Sequence, residues 1–128
     1  MKKIILFCSL VLLFLGGGCM VKKTLEIEYK SITQKEAKNI MDNTTGYVVL
    51  DVRTAQEYNT GHIVNAINIP NEVIYEQVES MLTDKEQVIL VYCRSGRRSK
   101  EAAIKLVELG YVNVLEFGGI IDWKYEIE

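Results

Sequence analysis

Histidine is almost absent from this chain, which has only His62, and its three cysteines, Cys8, Cys19 and Cys93, stand at no ligand-like spacing. That scarcity excludes a disulfide framework and a zinc site, both of which need several such side chains at set intervals. Positive charge is not in excess either. Fifteen Lys and Arg against 17 Asp and Glu leave a formal charge of −2, so the electrostatic footprint of a nucleic-acid binder is missing. No internal repeat or low-complexity tract is present. What remains, 128 residues of which 48% are apolar and 25% charged, has the composition of one ordinary globular domain with a modest core.

The first residues differ in kind from the rest. MKKIILFCSLVLLFLGGGCM opens with Lys2 and Lys3, continues apolar from Ile4 to Leu15, and closes on Gly16, Gly17, Gly18 and Cys19. This is the charged, hydrophobic and small-residue order of an export signal. The apolar run is short for a bilayer, which takes roughly 20 residues to span. Because it ends in a cysteine, the segment resembles a bacterial lipoprotein signal. That resemblance implies that residues 1–18 are a signal, that Cys19 is lipidated and becomes the mature N-terminus, and that the exported protein is held at a membrane by its lipid. An uncleaved anchor and a buried helix are the other readings of the same run. Residues 19–28 read as a tether leading to a first short strand, and residues 29–128 as the domain proper.

Within that domain, Thr33 and Glu36 have capping-box spacing, and Ala37, Ile40 and Met41 give the following helix one apolar face. Three runs, 47–52 (YVVLDV), 87–93 (QVILVYC) and 112–117 (VNVLEF), are almost continuously apolar. Strands covered on both faces look like this, so the runs predict a buried parallel sheet. Residues 71–82 and 99–110 carry apolar side chains at helical spacing, the second stretch ending at Gly110 as a helix stop. Strand alternating with helix predicts a single α/β domain, a central parallel sheet with helices on both faces. Ligands bind beyond the carboxyl ends of strands in such sheets. Asp51 to Arg53 and Cys93 to Arg98 both sit at such ends.

The second of these ends carries the chemistry. With a helix starting at about Ser99, CRSGRR becomes a six-residue loop between a strand end and a helix N-terminus. Free N–H groups and the helix dipole favour an anion there. A thiol beside arginines at a helix N-terminus has its pKa lowered from about 8.5 into a range of roughly 3.5–7.5. Gly96 permits a tight backbone that turns N–H groups inward, and Arg94, Arg97 and Arg98 supply fixed positive charge. Cys93 as a small buried hydrophobe is the bland alternative. Packing alone gives no reason for three arginines and a glycine within five residues of it.

From about Ser31 to Trp123 the chain resembles the rhodanese family. LDVRTAQEYNTGHIVNAINIP (50–70), CRSGRRS (93–99) and FGGIIDW (117–123) are similar to three of its motifs, in the family's order. Asn65 stands where the family commonly has glycine, which bears on the local turn. The resemblance implies a sulfurtransferase without cofactor or metal. Cys93 takes sulfane sulfur from thiosulfate, polysulfide or a persulfide, and passes it to cyanide, a thiol or a protein thiol. The backbone of Arg94, Ser95, Gly96, Arg97, Arg98 and Ser99 would cradle the sulfur, with Arg94 and Arg98 holding the sulfonate end of the donor. Asp51 and Arg53 either orient the loop or pair with each other and with Glu57. His62 reads as a structural hydrogen-bonding residue. The C-terminal KYEIE reads as a polar tail.

Cysteine-loop phosphatases are a rival class. Those of the tyrosine-phosphatase type place five residues between cysteine and arginine, whereas here Arg98 follows Cys93 after four. The shorter loop suits one sulfur atom rather than a phosphoryl group. A sulfur-relay or protein-binding module without stand-alone turnover is the reading from a different class. If Cys19 is lipidated, Cys93 is the only other thiol after the signal and no internal resolving cysteine exists.

Overall fold

In the computed structural model, the backbone is described for residues 3–12 and 19–128 and the side chains from residue 28 onward. Gly16 to Gly18 of the expected signal, and the side chain of Cys19, lie outside the described residues. Strand β1 (Lys3–Leu12) pairs antiparallel with β2 (Cys19–Glu28). β2 therefore covers the stretch read as a tether, and its sequence has the period-two alternation of a strand, with Leu25 and Ile27 set between Thr24, Glu26 and Glu28. Among the described residues, no helix is long and apolar enough to cross a membrane.

The domain is built on a five-stranded sheet. In chain order its elements are β3 (Lys30–Ser31), α1 (Gln34–Asn43), β4 (Val48–Asp51), α2 (Ala55–Thr60), β5 (Ile67–Asn68), α3 (Ile74–Met81), β6 (Ile89–Cys93), α4 (Arg97–Glu108) and β7 (Val114–Gly119). The strands lie in the order β3-β7-β6-β4-β5, and every pairing is parallel. All carboxyl ends therefore face one way, with β6 in the middle and Cys93 at its tip.

Side-chain alternation along β6 divides the core in two. Ile89, Val91 and Cys93 face a layer made with Val78 of α3 and Ala102, Ala103, Leu106 and Val107 of α4. Leu90 and Tyr92 face the other way, toward Ala37 of α1, Ile63 and Phe117. Burying each large aliphatic side chain contributes roughly 1.5–3 kcal/mol. Because both faces of β6 are covered, its run carries no polar alternation. The parallel sheet with helices on both faces is the architecture expected from the sequence.

Several boundaries differ from the sequence reading. α2 and β5 were not legible: α2 buries no residue and so shows no apolar period, and β5 has only two residues. The helix expected at 71–82 is a 3₁₀ turn, Asn71–Val73, followed by α3. α4 starts at Arg97 rather than Ser99, with Gly96 as its N-cap. The KYEIE tail is tied down: Ile127 bridges Ile63, and the backbones of His62 and Glu128 exchange hydrogen bonds of 2.9 and 2.8 Å. The His62 ring stacks on Tyr58 with centroids 3.8 Å apart, and its Nδ1 lies 3.0 Å from the Tyr58 carbonyl oxygen. Asn65 has φ +68°, the left-handed conformation that asparagine tolerates better than other residues with a Cβ. The turn thus keeps a glycine-like backbone without glycine.

Tyr92 joins the sheet to this region. Its hydroxyl donates to Asp51 Oδ2 at 2.6 Å and accepts from the Ile63 N–H at 3.0 Å, fully buried. Burial first, and then the Asp51 carboxylate, hold it well above the ordinary phenol range, so it remains a donor. Tyr92→Phe leaves both partners without their bond, and urea unfolding should show a loss of about 1–3 kcal/mol; an unchanged midpoint would mean the hydroxyl contributes nothing to stability.

Candidate active site

The strand end fixes the thiol and the helix start fixes what surrounds it. Cys93 is 1% exposed. The chain then turns through Arg94, Ser95 and Gly96, the last at φ +110°, a conformation open to glycine and strained for other residues. This turn aims the Gly96 N–H at the Cys93 sulfur, 3.0 Å away, while the Ser99 hydroxyl oxygen lies 3.5 Å from the same sulfur. The turn is held from behind by β7. Gly119 lies so close that a Cβ added there would fall 2.0 Å from the Arg94 carbonyl oxygen and 2.6 Å from Ser95 Cα. That carbonyl also accepts the Ile121 N–H at 3.2 Å.

Burial is the largest influence on the Cys93 thiol and pushes its pKa up. The Ser99 hydroxyl and the backbone N–H groups of Ser99, Gly96 and Ser95 outweigh it, so the thiol is held below its ordinary value of 9.0. Dipoles at the N-terminus of α4 do this rather than full charges. Two of the three arginines are engaged with carboxylates. Arg98 meets Glu57 through two bonds, Nη1 to Oε1 at 2.7 Å and Nη2 to Oε2 at 2.9 Å, and Arg97 meets Glu101 at 2.7 Å. Both arginines belong to the first turn of α4 rather than to a six-residue loop. Arg94 is exposed and makes no salt bridge among the described residues.

Glu57 belongs at once to the capping box of α2, where Thr54 Oγ1 accepts its N–H at 3.2 Å, and to the Arg98 pair. The Arg98 guanidinium is the main reason its carboxyl is lowered from 4.5 to about 2. Asp51 and Arg53 pair with each other, Nη2 to Oδ2 at 2.7 Å, and are buried. Arg53 also donates to the Gly61 carbonyl at 2.6 Å. Through Tyr92 this pair sits on the face of the sheet away from the thiol, and Glu57 is not part of it. Glu116, which the sequence reading did not single out, is buried under the loop, its Oε2 accepting the Gly118 N–H at 3.2 Å and lying 3.4 Å from Ser99 Oγ. Its only signal in the sequence is an acid within an otherwise apolar strand. Among the described residues, no three His, Cys, Asp or Glu side chains gather to hold a metal.

A parallel α/β domain whose buried thiol is met by the N–H groups and hydroxyl at a helix N-terminus is of the cysteine-loop class. The family model of the rhodanese-like domain matches residues 33–126, and the chain belongs to that family. The thiosulfate sulfurtransferase PspE of Escherichia coli (strain K12) is 38% identical over 73 residues, 57% of this chain and 70% of its own length. A sulfurtransferase of Allochromatium vinosum is 34% identical over 99 residues, 77% of this chain and 86% of its own. Among solved structures, a rhodanese-related protein from Thermoplasma volcanium superposes with a TM-score of 0.68 at 33% identity, over 78% of this chain and 98% of that one. At family level these relatives support sulfur transfer.

Two outcomes follow from this geometry. Gly119→Ala forces the Arg94–Ser95 backbone to move, and it should both destabilise the domain by about 1–3 kcal/mol and slow Cys93 alkylation; a variant that keeps wild-type stability and alkylation rate would refute the contact. Because folding lowers the Glu57 carboxyl from 4.5 to about 2, its contribution to stability is complete above about pH 4.5 and is lost as pH falls toward 2. Thermal melts across that window should show an acid loss in the wild type that is smaller in Glu57→Gln.

Proposed function

We propose that this protein moves sulfane sulfur from thiosulfate or a related donor to a thiophilic acceptor through a persulfide on Cys93. The observation that carries this reading is the Gly96 N–H 3.0 Å from a buried sulfur whose pKa is lowered by the Ser99 hydroxyl and by backbone donors. Donors aimed at one atom in this way stabilise a negative sulfur. In the first half-reaction the Cys93 thiolate attacks the sulfane sulfur of thiosulfate. A new S–S bond forms, the donor's own S–S bond breaks, and sulfite leaves with the electron pair. In the second, a nucleophile such as cyanide attacks the outer sulfur, thiocyanate departs, and the thiolate is restored. The scheme is ping-pong and needs no general base.

In this reading Arg94 receives the sulfonate end, which is supported by Arg98 being bound to Glu57 and Arg97 to Glu101. Arg98 then positions the loop by fastening the first turn of α4 to α2. The names of PspE and of the Allochromatium vinosum protein, both sulfurtransferases, support the transfer chemistry. We also propose that a lipid on Cys19 holds the domain at a membrane, a reading supported by the order of Lys2 and Lys3, the apolar run, the glycines and the cysteine.

Intact mass of the non-reduced full chain after incubation with thiosulfate should rise by one sulfur atom that is absent in Cys93→Ser and removed by cyanide. A folded protein with no such gain from thiosulfate or from polysulfide would overturn the transfer reading. Arg94→Ala should weaken thiosulfate turnover by raising KM more than it lowers kcat. For the anchor, Cys19→Ala should release the protein from membranes and abolish labelled-lipid uptake, and retention of both would reject it.

A further inference from the structure

Two carboxyls are buried among the described residues of the domain, and they are provided for differently. Asp51 has Arg53 against it. Glu116 is 3% exposed and forms no salt bridge among the described residues. An isolated buried carboxylate is costly, and a group in that position tends to hold its proton. Its neighbours are few. Lys100 of α4 acts on it by charge without contact, Cys93 of β6 lies beyond Ser99, and β3 contributes Ser31 in register, with Lys30 opposite Leu115.

Ser99 Oγ stands within 3.5 Å of four groups: Gly96 O at 3.0 Å, Glu116 Oε2 and Gly118 O at 3.4 Å each, and Cys93 Sγ at 3.5 Å. A serine hydroxyl has one hydrogen to give and two lone pairs to receive. An ionised Glu116 would compete with the sulfur for that hydrogen and set a second negative charge beside the thiolate. A protonated Glu116 does the reverse, donating to Ser99 rather than accepting from it. We propose that Glu116 is a positioning residue that works as a neutral acid: its carboxyl O–H donates to Ser99 Oγ, which removes the one charged competitor for the Ser99 hydrogen and leaves a Cys93 thiolate to draw it from the neutral Gly96 and Gly118 carbonyls, so that the site carries one negative charge and carries it on sulfur. Solvent takes the proton that the thiol releases, and the carboxyl keeps its own. In agreement, burial raises the Glu116 pKa against the smaller opposing effects of the Gly118 N–H, Lys100 and Ser99.

The inference rests on Cys93 being the nucleophile, but its readout is thiolate formation, so it can fail while sulfur transfer stands. In the full chain with Cys8 and Cys19 replaced by serine, the Cys93 thiolate is titrated by ultraviolet absorbance and by alkylation rate against pH. Glu116→Gln, which retains a donor and cannot ionise, should titrate as a single site with a midpoint at or below that of wild type. Glu116→Leu should raise the midpoint by about one unit, slowing alkylation about tenfold below it. A midpoint raised equally by Gln and Leu, or left unchanged by Leu, would overturn the proposal. Should either variant fail to fold, carbon-13 NMR of labelled glutamate in the chain with native Glu116 decides. One side-chain carboxyl should titrate above the ordinary glutamate range, and titration of all within that range would overturn it.

Discussion

The site depends on one crowded contact between two stretches of backbone. β7 passes so near the turn after Cys93 that residue 119 has no space for a side chain. With β7 in that position, the Arg94 carbonyl is captured by the Ile121 N–H and the turn is pressed into the shape in which Gly96 faces the sulfur. The parallel register of β6 and β7 brings these residues together, pairing Cys93 with Gly119 across a local irregularity. A loop that would be mobile on its own is thereby fixed to the most deeply buried strand of the sheet.

Electrostatics in the site is divided between dipoles and charges. The dipoles act on the thiol, as N–H groups and a hydroxyl aimed at one atom. The charges act mostly on one another, since Arg98 with Glu57 and Arg53 with Asp51 clamp α2 and the adjoining segment around the carboxyl end of the sheet. A sulfur held by fixed donors keeps its stabilisation when salt is present, because such bonds at short range are screened far less than separated surface charges. Arg94, outside these clamps, is the charge whose effect should weaken as ionic strength rises.

How much of this could be read from the sequence follows from the range of each interaction. The strands at 48–51 and 89–93 and the body of α4 were legible because burial on both faces, or on one helical face, leaves a local pattern. The position of Cys93 between a strand end and a helix start was legible because strand, glycine and helix are consecutive. The start of α4 lies two residues earlier than the sequence implies, because Gly96, which has no capping side chain, is the N-cap, and Ser99 falls inside the first turn with its Oγ 3.0 Å from the Gly96 carbonyl oxygen. The partner of Arg98 lies 41 residues away, so three arginines read as a common field when two of them are committed to carboxylates. Glu116 was invisible for a similar reason, since its neighbour Ser99 belongs to another element and an acid in a strand is by default a surface residue.

The 1% exposure of Cys93 would give the proposed transfer an asymmetry between loading and unloading. A sulfur atom bonded to Sγ extends about 2 Å farther along the S–S bond. The resting protein therefore keeps the Cys93 sulfur withdrawn from solvent. The charged protein would carry its cargo at the tip of that extension. In the proposed persulfide, an acceptor would meet the transferred atom before it meets the protein's own sulfur.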